Sequence, residues 1–178
     1  MPLPPRRIAL VGVTGSGKSV LAARIGELIR APYVPMDDIY WSPGWVKVPA
    51  EDRAPRYAAV AARDTWVVDA LPGVGQRALL ARADLVLALD YPRWFSLQRL
   101  LRRTLRRLVM HESICGGNTE GLRNLTRESI LLWHFRSFSA VRREIDELVA
   151  DRAAPPVVRL TSQRATDAWL EDLHRSLS

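Results

Sequence analysis

The chain has 178 residues, of which 48% are hydrophobic and 25% charged, and its formal net charge is +7 at pH 7. This length is typical of one globular domain with its own core, and the composition excludes low-complexity, collagen-like and disulfide-rich proteins. No apolar run approaches the ~20 residues of a membrane span, and the single cysteine, Cys115, excludes an internal disulfide. We therefore expect a cytoplasmic protein with no membrane partner, whose positive charge favours anionic ligands.

Short apolar runs alternate with amphipathic segments along the chain. Strands are predicted over 7–13, in the stretch "PYVPMDDIYW" with Asp37 and Asp38 at the strand's end, and over 65–69, 84–90 and 155–161. Helices are predicted over 18–30, 50–63, 76–83, 93–110, 125–150 and 164–177. Between them, "SPGWVKVP", "LPGVG" and the Gly-Gly-Asn segment at 116–118 indicate turns and loops without regular structure. Continuous apolar strands separated by helices predict an α/β protein with a parallel sheet covered on both faces.

The stretch "GVTGSGKS" joins the first predicted strand to the first predicted helix. It fits the pattern G-x-x-x-x-G-K-[ST], in which glycines let backbone N–H groups curl around a polyphosphate at the N-terminus of a helix. Lys18 would reach the outer phosphates, and the hydroxyl of Ser19 would bind Mg²⁺. The alternative is a glycine-rich turn that matches by chance. The predicted nucleotide-binding residues are Gly12, Thr14, Gly15, Ser16, Gly17, Lys18, Ser19 and Val20.

Three aspartates are predicted at the carboxyl ends of strands, where ligands bind to open parallel sheets. Asp69 follows "WVV" and could hold Mg²⁺ directly or through water, although a capping or turn role would also explain it. Asp37 could accept a hydrogen bond from an acceptor hydroxyl or take its proton, unless it only caps a turn. Asp90 is as compatible with a structural role as with a functional one.

The segment "WFSLQRLLRRTLRRLV" predicts a helix with two contrasting faces. Helical spacing places leucines on one face and five arginines on the other, namely Arg99, Arg102, Arg103, Arg106 and Arg107. Arginine is the planar, bidentate binder of phosphate, so we favour phosphate recognition over a merely solvated basic face. A nucleic-acid backbone would satisfy the same face.

These stretches, together with "PMDDIYWSPGW", "RADLVLALDYPRW" and "GGNTEG", resemble the small P-loop kinases of the adenylate-kinase-like group, and more closely the bacterial DNA topology modulation proteins. The resemblance covers residues from about 7 to 135. It implies a three-layer sandwich with a five-stranded parallel sheet, in one domain spanning 1–178, with an acceptor-binding insertion at 37–65 and an arginine-rich, lid-like helical region at 93–135.

The same resemblance implies phosphoryl transfer from ATP with Mg²⁺ as the metal. The implied catalytic residues are Lys18, Asp37, Asp69, Arg102, Arg103 and Arg106, and the implied metal residues are Ser19 and Asp69. Where adenylate kinases carry an arginine that binds the acceptor, this chain has Gly73. The leading hypothesis is therefore a kinase for a small acceptor. The alternatives are a nucleotide-dependent regulator that binds DNA or RNA, and an ATPase without an acceptor. The acceptor and the oligomeric state are left open.

Overall fold

The computed structural model of the chain describes residues 4–69, 77–110, 113–114, 118–119 and 130–177, with only the backbone described at 107–110, 113–114, 118–119 and 130–131. The first half contains β1 (Arg7–Gly12), α1 (Lys18–Ile29), β2 (Tyr33–Val34), α2 (Met36–Tyr40), β3 (Trp41–Ser42), β4 (Val46–Lys47), α3 (Ala50–Ala61) and β5 (Trp66–Val68). The second half contains α4 (Arg77–Arg82), β6 (Leu85–Leu89), α5 (Arg93–Met110), β7 (Ser113–Ile114), β8 (Asn118–Thr119), α6 (Ile130–Ala150), β9 (Val157–Leu160) and α7 (Gln163–Leu177).

Five strands form one parallel sheet in the order β2-β5-β1-β6-β9. The first strand of the chain, β1, lies at the centre of the sheet between β5 and β6. The segments that follow these three strands therefore meet at one edge of the sheet, as parallel pairing requires. The predicted α/β class with a five-stranded parallel sheet is confirmed.

Helices cover both faces of the sheet, and the alternation of side chains along β1 shows how. Ile8 and Leu10 are fully buried on the face that α1 and α7 cover. Ala9 and Val11 are fully buried on the opposite face, which α3, α4 and α6 cover. A strand buried on both sides has to be apolar at every position, which is why "IALV" shows no alternation of apolar and polar residues.

The segment after β1 and α1 differs from its prediction. The second strand ends at Val34, and Asp37 and Asp38 lie in the first turn of helix α2 instead of at the end of a strand. The stretch "SPGWVKVP", predicted to lack regular structure, contains an antiparallel hairpin in which Trp41 pairs with Lys47 and Ser42 with Val46. Its three-residue turn contains Gly44 and Trp45, both with positive φ, so the Pro-Gly pair turns the hairpin and does not break it.

Two other predictions concern loops. The segment predicted as a Gly-Gly-Asn loop carries a short antiparallel pairing between β7 and β8, so Asn118 belongs to a strand, while 116 and 117 lie outside the described residues. The predicted loop at 71–75 and the predicted helical residues 125–129 also lie outside them. In the part of the chain that the structure describes, no helix is both long and apolar enough to cross a bilayer.

Candidate functional site

The loop between β1 and α1 has a backbone that only glycine adopts easily. The φ angles of Gly12, Gly15 and Gly17 are 152°, 84° and 96°. There is also no room for a side chain, because a Cβ at Gly12 would lie 2.7 Å from the carbonyl oxygen of Leu89, and one at Gly15 would overlap the carbonyl oxygen of Ser96. The predicted phosphate loop is therefore a tight cradle, closed by β6 on one side and by α5 on another.

Two polar side chains of the loop fit an anion. The ammonium of Lys18 donates to the carbonyl oxygens of Gly12 at 2.7 Å and of Val13 at 3.0 Å, and so lies within the cradle. Ser16 is 1% exposed, and its hydroxyl oxygen has no hydrogen-bond partner among the residues that the structure describes. A buried hydroxyl of this kind normally has a partner, which a phosphate oxygen would supply.

Burial lowers the pKa of Lys18 to about 8, against the opposing effect of the nearby carboxylates Asp69 and Asp37. A bound phosphate would add negative charge beside this ammonium and favour its protonated form. Two further residues predicted to bind nucleotide differ in exposure: Thr14 is half-buried, whereas Val20, in the first turn of α1, is 64% exposed.

Asp69 lies beside this loop and receives hydrogen bonds from three elements. The hydroxyl of Ser19 donates to its Oδ2 at 2.6 Å, and the phenol of Tyr33 donates to the same oxygen at 2.9 Å. The backbone N–H of Met36, at the start of α2, donates to Oδ1 at 3.0 Å. The structure thus brings together Ser19 and Asp69, the two predicted metal residues. Both supply oxygen, the ligand atom that Mg²⁺ prefers, so this pair fits the ion.

Tyr33 and Met36 were not predicted as part of the site. Tyr33 lies opposite Val67 in the pairing of β2 with β5, two residues before Asp69. Only the register of two parallel strands reveals this proximity, and the sequence does not give that register. Burial raises the pKa of Tyr33, and the negative charge of Asp69 raises it further, so the phenol stays protonated as a donor.

Asp37 lies in the same electrostatic neighbourhood from the first turn of α2. Desolvation raises its pKa first and the charge of Asp69 second, while Lys18 and Arg103 oppose the rise. A carboxylate with a raised pKa is a better proton acceptor than an ordinary aspartate. The two carboxylates of the site therefore differ in their surroundings: three hydrogen bonds hold Asp69, whereas burial and the neighbouring negative charge of Asp69 raise the pKa of Asp37.

Beyond Asp37, the hairpin formed by β3 and β4 carries aromatic rings and basic groups. Trp41 and Trp45 pack edge to face with their centroids 5.7 Å apart. Arg53, from α3, lies over the ring of Tyr40 at 4.4 Å, and Lys47 lies over the same ring at 5.8 Å. This surface suits a small ligand that has both an apolar face and an anionic group.

Helix α5 approaches the phosphate loop through two of its arginines. A Cβ at Gly17 would lie 2.7 Å from Nη2 of Arg99, whose Nη1 also donates to Gln163 at 2.8 Å. The charge of Arg103 acts on both Lys18 and Asp37. Arg99 and Arg103 are half-buried and one helical turn apart, so α5 places two cations along the loop.

The exposure of the other α5 side chains differs from the predicted division into an arginine face and a leucine face. Arg102 and Arg106 are exposed, and the side chain of Arg107 lies outside the described residues. The buried face is formed by Ser96, Leu100 and Thr104, whereas Leu101 and Leu105 of the predicted leucine face are 40% and 61% exposed. The helix packs on the loop, where the backbone of Ser96 lies against Gly15, and on α6, where Ser96 bonds to His134. Its leucines therefore do not all face the core.

Asp90 has a different set of partners from Asp69. Its side chain is 2% exposed and forms ion pairs with Arg142 at 2.9 Å and with Arg159 at 2.5 Å, and Arg159 also pairs with Asp146. These contacts favour the structural interpretation of Asp90. The buried side chain of His134 is hydrogen-bonded through Nε2 to the hydroxyl of Ser96 at 2.9 Å, and this bond connects α6 to α5.

The fold is similar to that of solved small-molecule kinases. A shikimate kinase from Acinetobacter baumannii, in complex with shikimate, aligns with a TM-score of 0.60 and 19% identity over 97% of this chain and 93% of its own. A gluconokinase from Sinorhizobium meliloti 1021 aligns with a TM-score of 0.52 and 21% identity over 97% and 95% of the two chains. A sugar kinase from Janibacter sp. HTCC2649 aligns with a TM-score of 0.52 and 19% identity over 97% and 92%.

At identities this low the alignments show the fold alone, and that fold is the one of P-loop small kinases. No protein-family model matches the sequence, and no curated protein matches it. The finer resemblance to bacterial DNA topology modulation proteins stays a prediction.

Proposed function

We propose that the chain is a Mg²⁺- and ATP-dependent phosphotransferase that moves the γ-phosphoryl group of ATP to a small hydroxyl- or phosphate-bearing acceptor. The observation that carries this proposal is the convergence of Lys18, Ser19 and Asp69 at a glycine cradle beside Asp37. The similar structures support it, because they are those of a shikimate kinase, a gluconokinase and a sugar kinase.

Each residue of the site has a role in this reaction. The loop N–H groups, Ser16 and Lys18 would bind the phosphates of ATP, and Ser19 with Asp69 would hold Mg²⁺, which supplies positive charge to the phosphates when bound. The acceptor oxygen forms a bond to the γ-phosphorus while the bond from that phosphorus to the bridging oxygen breaks, and ADP leaves. Asp37 orients the acceptor and, where the acceptor is a hydroxyl, takes its proton, which its raised pKa favours.

The arginines of α5 complete the charge balance. Arg103 acts on both Lys18 and Asp37, so it lies where charge on the transferring group would develop. Arg102 and Arg106, being exposed, would need the lid-like region at 93–135 to close over the loop in order to contribute. We assign acceptor binding to the insertion at 37–65, within one domain over 1–178.

An acceptor screen tests the proposal. The purified chain is incubated with Mg²⁺-ATP and a panel of acceptors: shikimate, gluconate, sugars, nucleosides and nucleoside monophosphates. ADP formation is measured together with the phosphorylated product. We expect one acceptor class to stimulate ADP formation, EDTA to abolish it, and Lys18→Ala to lower it at least about 10²-fold, as for loss of one charge-stabilising group. The control is Arg175→Ala, at a surface ion pair with Asp172, which should change nothing.

Two results would contradict the proposal. Phosphate release that no acceptor alters would indicate an ATPase. Binding of duplex DNA with a steep salt dependence, which Arg103→Ala with Arg106→Ala flattens, would indicate a nucleic-acid regulator.

A further inference from the structure

The carboxylate of Asp69 is held from two sides. Its Oδ1 receives the backbone N–H of Met36, and its Oδ2 receives both the hydroxyl of Ser19 and the phenol of Tyr33. A carboxylate oxygen has about two lone-pair positions, so the two donors at Oδ2 fill that oxygen. The capacity of Oδ2 to bind a cation directly is correspondingly small.

This arrangement determines how Ser19 is presented. Because the hydroxyl hydrogen of Ser19 points to Asp69, the lone pairs of its oxygen point elsewhere and are available as ligands. Tyr33 is the second donor to the same carboxylate oxygen, and together with the N–H of Met36 it holds the carboxylate in one rotational position. Loss of a group that orients a metal-binding residue in this way typically costs about 10- to 100-fold in metal affinity or activity.

The position of Tyr33 is itself strongly determined. Its backbone is paired with β5, and its Cβ lies close to α1 at a glycine: a Cβ at Gly26 would lie 3.5 Å from the Cβ of Tyr33 and 2.8 Å from the carbonyl oxygen of Ala31. The backbone of Tyr33 is therefore fixed before any ligand binds. Because the phenol already orients the carboxylate of Asp69, little conformational entropy is lost when a metal binds.

We infer that Tyr33 is a positioning residue of the metal site: it holds Asp69 so that this carboxylate acts on the metal through the hydroxyl of Ser19. The inference rests on the proposed function, because it concerns the Mg²⁺ that the ATP reaction needs. Tyr33 lies outside the phosphate loop, in the edge strand β2. Its loss should therefore change the affinity for Mg²⁺ and not the affinity for ATP alone.

The test compares Tyr33→Phe with Tyr91→Phe. The control variant Tyr91→Phe also loses a buried hydrogen bond, between the phenol and the hydroxyl of Thr166 at 2.5 Å, but this bond does not involve Asp69. ATP binding is measured by calorimetry in EDTA and over a Mg²⁺ titration, and thermal unfolding is measured without ligand. For Tyr33→Phe we expect the ATP affinity in EDTA to lie within about twofold of that of the wild-type protein. The Mg²⁺ concentration at which the effect of Mg²⁺ on ATP binding is half-maximal should be about tenfold higher. Tyr91→Phe should leave both values unchanged.

Three outcomes overturn the inference, and they are distinguishable. If Tyr33→Phe leaves the Mg²⁺ half-saturation unchanged while the unchanged chain binds Mg²⁺-ATP, Tyr33 does not position the metal site. If Tyr33→Phe weakens ATP binding equally with and without Mg²⁺, its role is structural only. If the unchanged chain binds no Mg²⁺-ATP, the proposed function fails and this inference fails with it.

Discussion

Two aspartates, Asp69 and Asp90, end the strands on either side of β1, and in the sequence they look alike. Both follow a run of apolar residues, and both lie at the edge of the sheet where the phosphate loop begins. Their surroundings differ completely. Asp69 receives its hydrogen bonds from a serine, a tyrosine and a backbone N–H, whereas Asp90 is enclosed by Arg142 and Arg159.

The difference lies in the charge of the partners. Neutral donors orient Asp69 without cancelling its negative charge, which stays available to a cation at the loop. The two arginines cancel the charge of Asp90, so this residue connects β6 to α6 and β9 instead. A carboxylate at the end of a parallel strand is thus only a candidate for function, and the chemistry of its partners decides.

The sharpest way to test this contrast is to remove the charge of Asp69. Asp69→Asn keeps the size of the side chain and, with its amide oxygen in the place of Oδ2, two of the three hydrogen bonds, but removes the charge that would stabilise Mg²⁺ and the phosphates. We expect phosphoryl transfer to fall by about 10²- to 10³-fold, which corresponds to about 3–4 kcal/mol in the barrier. The free energy of unfolding should fall by only about 1–2 kcal/mol, because the N–H of Met36 loses its acceptor. Turnover assays and urea denaturation measure the two quantities.

The opposite pattern for Asp69→Asn, normal turnover with a large loss of stability, would assign to Asp69 the structural role that we give to Asp90. Asp69→Glu is an informative companion variant. It keeps the charge but moves it by one methylene, so it distinguishes a requirement for negative charge from a requirement for the three hydrogen bonds.

The reciprocal change is Asp90→Asn. It leaves Arg142 and Arg159 facing each other without their shared anion, in a place where the carboxylate is 2% exposed. Removing one partner of a fully buried ion pair costs about 3–5 kcal/mol, and the partial exposure of both arginines reduces our expectation to about 2–3 kcal/mol of unfolding free energy. Turnover per folded molecule should stay within about twofold. Chemical denaturation and the activity of the folded fraction measure these effects, and a 100-fold loss of activity at unchanged stability would contradict the structural assignment.

The strands and the glycine loop can be predicted from the sequence, whereas the partners of the two aspartates cannot. The strands that carry both aspartates were predicted because buried parallel strands are continuously apolar, and the glycine loop was predicted because its backbone requires glycine at fixed spacing. The arginines that neutralise Asp90 come from 52 and 69 residues away, and Tyr33 reaches Asp69 from 36 residues away. Such partners depend on strand order and register, which local patterns do not encode.

The region after β2 shows a second limit. Asp37 was predicted as a site residue at the end of a strand, and it lies instead in the first turn of α2, a helix of five residues that begins after Pro35. A helix this short shows no clear periodicity, and acidic residues near a helix N-terminus are compatible with a strand end as well. The predicted element of Asp37 was therefore wrong, and its role in the site stays a prediction.

A third aspartate extends the comparison to the opposite edge of the sheet. Asp84 precedes β6, and its carboxylate accepts hydrogen bonds from the guanidinium of Arg7, at 2.6 Å, and from the backbone N–H groups of Arg6 and Arg7. Both partners of the ion pair are 30% exposed, so the pair is neither enclosed like that of Asp90 nor near the phosphate loop. We expect Asp84→Asn to cost only about 0.5–1 kcal/mol of unfolding free energy at pH 7 and to leave turnover unchanged.

The pH dependence of the stability lost in Asp84→Asn shows whether the loss comes from the charge of Asp84. Burial alone would raise the pKa of Asp84, but the hydrogen bonds from Arg7 and from the backbone outweigh burial and lower the pKa below its ordinary value of 3.8. A carboxyl whose pKa is lower in the folded state stabilises the fold at pH values above its unfolded-state pKa, and this stabilisation is lost as the pH falls through the lower folded-state pKa. The stability difference between the unchanged chain and Asp84→Asn should therefore be constant from pH 7 to about pH 5 and should shrink below about pH 4. Urea denaturation at a series of pH values measures it. A difference that persists undiminished at pH 2 would mean that Asp84 acts through packing and not through its charge.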